Sequence, residues 1–260
     1  MKELISLRVW GRLACFTRPE MKVERVSYPL MTPSSARGIL EAILWKPEVY
    51  YVIDSIRVIK RGQWTHFKRN EIQSRISFSQ AKSAMLGRGR LSVIEAGAGS
   101  SDATPRNTLA LRDVEYIISA EVKLTELGET AGEPLQKYLE EFKRRAKLGK
   151  CFHRPCLGMR EFDAEFDLVE KVDDFQPEQN WTEDLGLMLY DLFLPEDRRI
   201  GFKFIEESEE TLLLSRKRKP TKGMLPTPSP LFFHAKVENS VMDCNPSRVK
   251  IYGGKRKNVT

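Results

Sequence analysis

The order of the secondary-structure elements predicted from the sequence indicates an α+β fold of the ferredoxin-like, RRM-related type. A strand–helix–strand run occupies roughly the first sixty residues, and a second such run lies between residues 113 and 168. A long basic insertion, about residues 62–108, separates the two runs. Two βαβ halves in one chain are typical of the split βαβ arrangement. We therefore predict a ferredoxin-like N-terminal domain over residues 1–168 that carries this insertion.

The first run is defined by apolar alternation and by a helix start signal. Residues Leu4 to Trp10 alternate apolar and polar side chains, which indicates a strand that stops at Gly11. Thr32 can cap a helix that has Pro33 at its first position, where proline loses no hydrogen bond. Residues Val49 to Ile59 are rich in Val, Ile and Tyr and predict the second strand.

The second run contains the most regular strand pattern of the chain. From Asp113 to Thr125 apolar residues recur at every second position. Gly132 and Pro134 mark the start of an amphipathic helix, and Gly149 marks its end. Apolar and acidic residues then alternate from Phe162 to Leu168, which predicts a strand with one acidic face. The insertion between the runs is rich in glycine and predicts a flexible, functional loop without a core of its own.

The remainder of the chain indicates a small, acidic, antiparallel β-rich domain over residues 169–240, followed by a basic tail over residues 241–260. Basic sequences at residues 216–219 and 255–257 carry little structural signal. The elements predicted here are a short helix from Thr182 to Leu194, a hairpin with arms at residues 200–205 and 211–214, and a strand from Leu231 to Val237.

Charge is distributed unevenly along the chain. The formal net charge is +7, from 43 Lys and Arg against 36 Asp and Glu. Residues 57–90 contain nine basic residues and one acidic residue, whereas residues 161–210 contain 17 acidic and four basic residues. The basic segment favours a polyanion, with RNA as the expected partner, because binding to phosphates releases counterions. The acidic segment is expected to face solvent or a basic protein partner.

The predicted RNA-binding residues come from the basic segment. Aromatic side chains lie among its basic residues, as is typical of surfaces on which RNA bases stack. The residues that we expect to contact RNA are Arg57, Lys60, Arg61, Lys68, Arg69, Arg75, Arg88 and Arg90.

The cysteines and the apolar segments exclude several classes of protein. The four cysteines form no C-x-x-C pair, and a chain of this length does not need a disulfide scaffold. Cys151, His153 and Cys156 lack the spacing and the fourth ligand of a zinc site, so we expect no metal and no other cofactor. No apolar run approaches the roughly 20 residues that span a bilayer, and no signal-peptide pattern starts the sequence. We therefore expect a cytoplasmic protein that does not contact a membrane.

Short blocks of sequence between residues 4 and 166 form an ordered set. The blocks are Leu7–Gly11, Cys15–Tyr28, Gly38–Ile43, Trp45–Pro47, Val52–Arg57, Arg69–Glu71, Asn107–Thr108, Asp113–Tyr116 and Pro155–Phe162. In order and at compatible spacing, these blocks resemble the CRISPR-associated Cas-five (Cas5) family, subtype I-C. The acidic C-terminal part matches this family only loosely.

The resemblance implies an endoribonuclease that cuts precursor CRISPR RNA in the repeat hairpin. In this metal-independent reaction the 2′-hydroxyl of the RNA attacks the adjacent phosphate. The protein must supply a base, an acid for the leaving 5′-oxygen and a cation for the developing charge. The resemblance further implies that the protein stays on the 5′ handle of the mature CRISPR RNA as a subunit of the type I-C surveillance complex in antiviral defence.

Two of the three catalytic positions implied by the resemblance differ in this chain. The family has a tyrosine just before its Trp-Lys-Pro motif, where this chain has Leu44. The family also has a Lys–His pair at the start of its second helix, and this pair aligns with Lys137 and Tyr138 of this chain. Lys137 can supply the cation or pair with Glu141 one turn on. Tyr138 can move a proton only if its pKa, ordinarily about 10, is perturbed, and it also falls on the apolar stripe of the helix, as a core residue would.

Three further residues could replace the missing groups. His66 lies among the aromatic residues of the basic insertion, and His153 follows the predicted helix closely. Tyr50 or Tyr51 could replace the missing tyrosine, but only one of them, because adjacent strand residues point in opposite directions. The catalytic candidates are therefore Lys137, Tyr138, His66, His153 and Tyr50.

Three alternatives remain open at the level of sequence. The departures from the family pattern are compatible with a non-catalytic subunit that only binds the CRISPR RNA handle. A double-stranded nucleic-acid-binding protein with metal-dependent DNase activity would use the acids of residues 161–210, although they lack clustered ligand spacing. A general RNA-binding protein is compatible with the composition but does not account for the ordered blocks.

Overall fold

The computed structural model describes residues 4–91, 93–97, 99–200 and 229–253. Across these residues one ten-stranded, almost entirely antiparallel sheet is combined with a few helices, which confirms the predicted α+β class. The strands are β1 (Leu4–Ala14), β2 (Arg25–Val26), β3 (Val49–Lys60), β4 (Gln63–Ile72), β5 (Ala103–Leu124), β6 (Glu165–Val169), β7 (Glu183–Asp191), β8 (Leu231–Glu238), β9 (Val241–Asp243) and β10 (Ile251–Gly253). The helices are α1 (Pro33–Ile43), α2 (Phe78–Met85), α3 (Glu126–Ala131), α4 (Leu135–Lys147) and α5 (Pro195–Arg199). No helix among the described residues is long and apolar enough to cross a membrane.

Strand β1 does not stop at Gly11, as the sequence suggested, but continues to Ala14. A side chain at Gly11 would lie 2.5 Å from the Leu157 Cδ1 atom and 2.8 Å from the Asp163 carbonyl oxygen. Gly11 therefore allows a neighbouring segment to approach the strand, which is a common use of glycine inside a sheet.

The start of α1 confirms the predicted capping signal. The Thr32 hydroxyl accepts a hydrogen bond from the Ser35 N–H at 3.2 Å, and Pro33 occupies the first turn. The helix buries Ile39, Leu40 and other apolar residues against the sheet.

Strand β5 begins at Ala103 rather than at Asp113 and has two halves with different partners. Its first half pairs with β4 and its second half with β3. Asp113, which has a positive φ of 58°, lies between the two halves. The prediction of a long loop over residues 62–108 is therefore wrong for much of its length, since β4 and the start of β5 form an ordered ladder. Helix α2 follows β4 and buries none of its side chains.

The centre of the sheet places α1 and α4 side by side. Strands β6, β1, β5 and β3 lie next to one another in that order, and each neighbouring pair is antiparallel. Helix α1 packs on β3, helix α4 packs on β6 and β1, and the two helices contact each other. The Tyr51 ring on β3 lies 5.8 Å from the Phe142 ring on α4, between their centroids.

The predicted helix from Thr182 to Leu194 is wrong, because this segment forms strand β7. Its Leu, Met and Glu residues favour a helix, but β8 offers a full antiparallel partner, and such tertiary pairing overrides local propensity. The predicted strand from Leu231 is confirmed as β8, and β9 connects it to β3 within the same sheet. The arms predicted at residues 200–205 and 211–214 lie outside the described residues, except for Ile200, as do the basic sequences at 216–219 and 255–257. The division into domains at residue 168 stays a prediction.

A buried ion network fastens α1 to the C-terminal strands. The Arg37 Nε donates to Asp191 Oδ2 at 2.7 Å, and its Nη1 donates to Glu41 Oε2 at 2.5 Å. Arg198 of α5 joins the network through Glu41, at 3.3 Å. Burial alone would raise the pKa of Asp191, but the charge and hydrogen bonds of Arg37 outweigh it and lower that pKa.

Asp191→Asn is expected to destabilise the protein by about 3 kcal/mol at pH 7, because it leaves the largely buried Arg37 without one of its two counter-charges. A carboxylate whose pKa is lowered by folding contributes stability above its ordinary pKa, and the contribution is lost as the pH falls through the folded-state value. Urea unfolding should therefore show a difference in the free energy of unfolding between the wild type and Asp191→Asn. This difference should be largest at pH 7 and should shrink below about pH 4. Asp174→Asn, at an exposed position, is the matched control and should change stability by less than about 0.5 kcal/mol. A pH-independent difference would contradict the role of the Asp191 charge.

Candidate active site and nucleic-acid interface

The C-terminal end of α1 is the point at which the candidate catalytic elements meet. The last carbonyl groups of a helix have no partner within the helix and must find donors elsewhere. Here the carbonyl groups of Ala42, Ile43 and Leu44 are all satisfied by side chains or backbone from other elements. The donors are Phe152 N–H (2.8 Å) and His153 N–H (3.1 Å) to Ala42, Arg145 Nη1 (3.2 Å) to Ile43, and the Tyr51 hydroxyl (2.6 Å) to Leu44.

The loop that follows α1, residues 44–48, is fastened to the start of α3. Thr125 N–H donates to the Glu48 carbonyl at 2.8 Å, and its hydroxyl donates to the Pro47 carbonyl at 2.7 Å. A side chain at Gly128 would lie 2.2 Å from the Glu48 carbonyl oxygen, so only glycine fits there without a shift. The loop carrying the Trp-Lys-Pro motif is thereby held at the start of α3, and the connection between α3 and α4, residues 132–134, follows directly after this short helix.

This connection carries a group of three side chains, Glu133, Lys137 and Tyr138, which we call the Glu133 cluster. The Lys137 ammonium lies 2.7 Å from each carboxylate oxygen of Glu133. The Tyr138 hydroxyl donates to Glu133 Oε2 at 2.9 Å. The Lys137 side chain is 55% exposed and that of Glu133 41%, so a ligand can reach both.

The Glu133 cluster explains how Tyr138 can be a core residue and still reach the surface. Its ring is buried beside Leu139 and Phe142 on the inner side of α4. Its hydroxyl nevertheless extends to Glu133. Burial and, after it, the hydrogen bond to the Glu133 carboxylate raise the pKa of Tyr138 to about 12. Tyr138 therefore stays protonated at neutral pH and suits a proton donor better than a base.

The cation of the cluster does not pair with Glu141, the alternative considered from the sequence. Glu141 instead accepts from Arg145 at 3.2 Å, one turn further along α4. The hydrogen bond from Lys137 is the main cause of a lowered Glu133 pKa. The Tyr138 hydroxyl and the charge of Lys46 lower it further, which places the Trp-Lys-Pro motif near the cluster.

His153 lies near the same region, whereas the position of Leu44 is purely structural. The exposed His153 follows the backbone contacts at the end of α1, and its ring meets the Phe152 ring at 4.5 Å between centroids. The Leu44 side chain is 2% exposed and contributes only packing at the position where the resemblance implies a tyrosine. Tyr51 is buried and its hydroxyl is engaged by the Leu44 carbonyl, so it does not replace that tyrosine.

Tyr50 and His66 do not belong to the Glu133 cluster. Tyr50 lines a separate cleft of about 170 Å³ together with Trp45, Lys46 and Arg198, and burial raises its pKa. Strand pairing places His66 opposite Leu109, whereas Tyr50 pairs with Lys123 at the other end of β5. His66 is therefore separated from the other catalytic candidates along the length of β5.

Half of the predicted RNA-binding residues are paired with acids of the same chain. The acidic segment was expected to face solvent or a protein partner, but several of its carboxylates lie against the basic segment instead. The pairs are Arg57–Asp173 (3.4 Å), Lys60–Glu178 (3.0 Å), Arg61–Glu183 (3.2 Å) and Arg69–Glu161. These four cations are consequently less available to RNA than the sequence suggested.

The other half of the set is exposed. Lys68, Arg75, Arg88 and Arg90 form no ion pair with any of the described residues. Because alternate residues of a strand share a face, Lys68 lies with His66 and the 49%-exposed Trp64 on the outer face of β4. This face combines a cation with an aromatic ring, as surfaces that stack RNA bases do. Within the residues that the structure describes, no three His, Cys, Asp or Glu side chains group as metal ligands would.

Comparison with known families identifies the class to which this fold and site belong. A family model described as CRISPR-associated protein (Cas_Cas5) matches residues 4–245, which defines a CRISPR-associated protein. The chain belongs to the Cas5 family, in its Cas5d branch of subtype I-C. The resemblance found in the sequence is thereby confirmed.

Curated relatives cover most of the chain. A CRISPR pre-crRNA endoribonuclease Cas5d from Mannheimia succiniciproducens is 44% identical over 199 residues, which are 74% of this chain and 86% of the relative. A protein of the same name from Thermus thermophilus is 38% identical over 240 residues, which are 92% and 90% of the two chains. The crystal structure of a CRISPR-associated protein matches with a TM-score of 0.61 at 19% identity and covers 97% of both chains. At this identity the structural match supports the fold alone.

Gly128→Ala is expected to lower stability by about 1–3 kcal/mol, because the new methyl group would overlap the Glu48 carbonyl oxygen and displace the loop after α1. Gly38→Ala is the matched control: Gly38 lies within α1 and an added Cβ would meet nothing within 4 Å. That change should stabilise the helix by up to about 1 kcal/mol. Urea unfolding measures both effects, and equal, small changes would show that Gly128 does not hold the loop.

Neutralising Lys68, Arg75 and Arg88 to glutamine is expected to weaken RNA binding and to flatten its dependence on salt, by about 0.7 in the logarithmic slope for each lost phosphate contact. The matched set is Arg57→Gln, Lys60→Gln and Arg61→Gln, whose cations are already compensated by acids of the chain. It should flatten the slope less. Filter-binding titrations between 50 and 300 mM salt, a range over which the affinity should fall by about one decade or more, distinguish the two sets. Equal effects would place RNA on the paired residues as well.

Proposed function

We propose that this chain is an endoribonuclease that cleaves precursor CRISPR RNA in the repeat hairpin, without a metal, and remains on the 5′ handle as a subunit of the type I-C surveillance complex. Membership of the Cas5 family and the names of its relatives support the substrate class. The observation that carries the proposal is the Glu133 cluster, which joins an exposed cation and a protonated hydroxyl next to the family's Trp-Lys-Pro loop.

Two of the three chemical roles have good candidates in the cluster. Lys137 lies in the first turn of α4, where both its charge and the helix dipole favour a phosphate. It would stabilise the negative charge that develops on the phosphate oxygens. Tyr138, with a pKa raised to about 12, would give its proton to the leaving 5′-oxygen.

The remaining predicted residues have supporting roles in this proposal. Lys68, Arg75, Arg88 and Arg90 would hold the RNA backbone, with Trp64 and His66 on the outer face of β4. His153 is a candidate base because of its place near the end of α1, while Tyr50 would line the neighbouring cleft. The strand order β6-β1-β5-β3, with α1 and α4 as connections, supports a ferredoxin-like arrangement of residues 1–168. The acidic β-rich part over residues 169–240 would be joined to this unit by β9, which directly follows it and pairs with both β8 and β3, and a cytoplasmic location fits the role.

A second candidate function is a subunit that binds the handle without cutting it. The buried Leu44 at the family's tyrosine position favours this reading, since it removes one reactive group. Cleavage assays decide between the two functions, because the same RNA contacts serve both.

The purified protein is expected to cut a cognate repeat hairpin in the presence of EDTA and to leave a 2′,3′-cyclic phosphate. A single 2′-deoxy nucleotide at the scissile position should abolish cleavage, because it removes the nucleophile. Lys137→Ala should slow single-turnover cleavage about 10²-fold through loss of transition-state charge stabilisation, and should weaken binding far less. Lys147→Ala, at an exposed position at the end of the same helix, is the matched control and should cleave normally.

Failure of the wild-type protein to cut any repeat RNA, with binding intact, would favour the handle-binding function. Cleavage of double-stranded DNA that requires a divalent ion would instead support the DNase alternative. Cleavage of the 2′-deoxy substrate would contradict the mechanism itself.

A further inference from the structure

We propose that Glu133 is the general base of the cleavage reaction and that it returns the proton to Tyr138 after each turnover. This inference deepens the proposed function and rests on it. The residues aligned with the family's catalytic tyrosine and histidine leave the role of the base open. Leu44 is a buried aliphatic side chain, and Tyr138 holds its proton at neutral pH. The carboxylate that touches both Lys137 and Tyr138 is the acceptor nearest to the proposed reaction.

The backbone around Glu133 fixes where its carboxylate points. Glu133 lies between Gly132, which ends α3 in a left-handed conformation with φ of 68°, and Pro134, which caps α4. A residue before proline is restricted to extended conformations. Glu133 therefore stands just outside α4, and its side chain reaches over the first turn to Lys137 and Tyr138.

In the free protein Glu133 occupies the place at Lys137 that a phosphate would take. Both carboxylate oxygens contact the ammonium at 2.7 Å, a bidentate arrangement that a phosphate group can also adopt. An RNA phosphate would compete for Lys137 and draw it away from the carboxylate. Since Lys137 is the main cause of the lowered Glu133 pKa, its transfer to the phosphate raises that pKa and makes Glu133 a stronger base.

The proposed step is balanced in protons and bonds. Glu133 takes the proton of the 2′-hydroxyl while the 2′-oxygen forms a bond to phosphorus, and the bond from phosphorus to the 5′-oxygen breaks. Tyr138 gives its proton to the 5′-oxygen, which leaves a 2′,3′-cyclic phosphate and a 5′-hydroxyl. The protonated Glu133 then returns a proton to the Tyr138 oxygen through their existing 2.9 Å contact. Both groups are restored without a further reactant.

The charged groups around Glu133 determine the expected pH dependence of the cleavage rate. The charged and titratable groups that face it are Lys137 and Tyr138 on α4 and Lys46 in the loop after α1, while Glu48 and Glu141 face Tyr138. In the free protein Lys137, the Tyr138 hydroxyl and Lys46 hold the Glu133 pKa below its ordinary value. In the RNA complex, which single-turnover rates at saturating protein report, the transfer of Lys137 to the phosphate raises that pKa toward the ordinary range of a carboxyl group. The rate should therefore reach its plateau below about pH 6. A histidine base would instead place the acidic limb of the profile at about pH 6.5.

The test measures single-turnover cleavage of a repeat hairpin from pH 4 to pH 9 at saturating protein. The wild type is expected to show an acidic limb at or below about pH 5, in the range of a carboxyl group. Glu133→Gln keeps the size of the side chain and a partner for Tyr138 but cannot accept the proton. It should lose about 10²-fold or more in rate and bind RNA at least as tightly, because a negative charge is removed from the site. Glu133→Asp should recover part of the rate.

The control is Glu140→Gln, at an exposed position on α4, which should leave the rate and the profile unchanged. A Glu133→Gln variant that cleaves within about three-fold of the wild type, well inside the loss expected of a missing base, would overturn the assignment while leaving the proposed function intact. The assignment would also be overturned by an acidic limb near pH 6.5 in the wild type that disappears in His153→Ala. Because the wild-type profile alone tests the base, the proposal stays open to refutation even if the glutamine variant fails to fold. A wild type that never cleaves RNA would overturn both proposals.

Discussion

The hydrogen-bonding demand of the C-terminal end of α1 is the constraint on which the rest of the site depends. Its last carbonyl groups have no partner within the helix and accept hydrogen bonds from other elements. The donors come from β3, which directly follows in the chain, and from α4 and the segment after it, about a hundred residues further on. Each contact also fixes an element that carries a candidate catalytic group. Together with the contacts of Thr125 to the loop after α1, they hold Lys46, Glu133 and Lys137 in one small region.

Internal charge pairing changes how the net charge of the chain should be understood. The basic and acidic segments are separated by 70 residues, and each alone indicates a different partner. In the folded protein the acids at Asp173, Glu178 and Glu183 lie beside cations of β3 and the turn after it. The exposed cations that remain in the basic segment lie in β4, in the connection from β4 to α2, in α2 and in the segment after α2. The surface that can attract RNA is therefore smaller and more localised than the sequence alone implies.

Local signals in the sequence predicted some parts of the molecule well and others poorly. The capping of α1 by Thr32 and the apolar stripe of α4 depend on neighbours in the chain, and both are present as predicted. Strand β7 was mistaken for a helix because its pairing with β8 is a tertiary effect that composition does not record. Glu133 was missed because it precedes α4 and escapes helical periodicity, although an acid four residues before Lys137 was a usable signal. Which cations are paired with acids depends on contacts across the fold, so the sequence could not reveal it.

The most direct test of the central claim is a structure of the protein bound to a repeat hairpin with a 2′-deoxy nucleotide at the cleavage position. The account predicts that the scissile phosphate contacts the Lys137 ammonium, beside the loop after α1, with the Glu133 carboxylate released from that ammonium and facing the sugar. The RNA backbone should continue toward the outer face of β4. A scissile phosphate bound near His66, with Lys137 still paired to Glu133, would contradict the account.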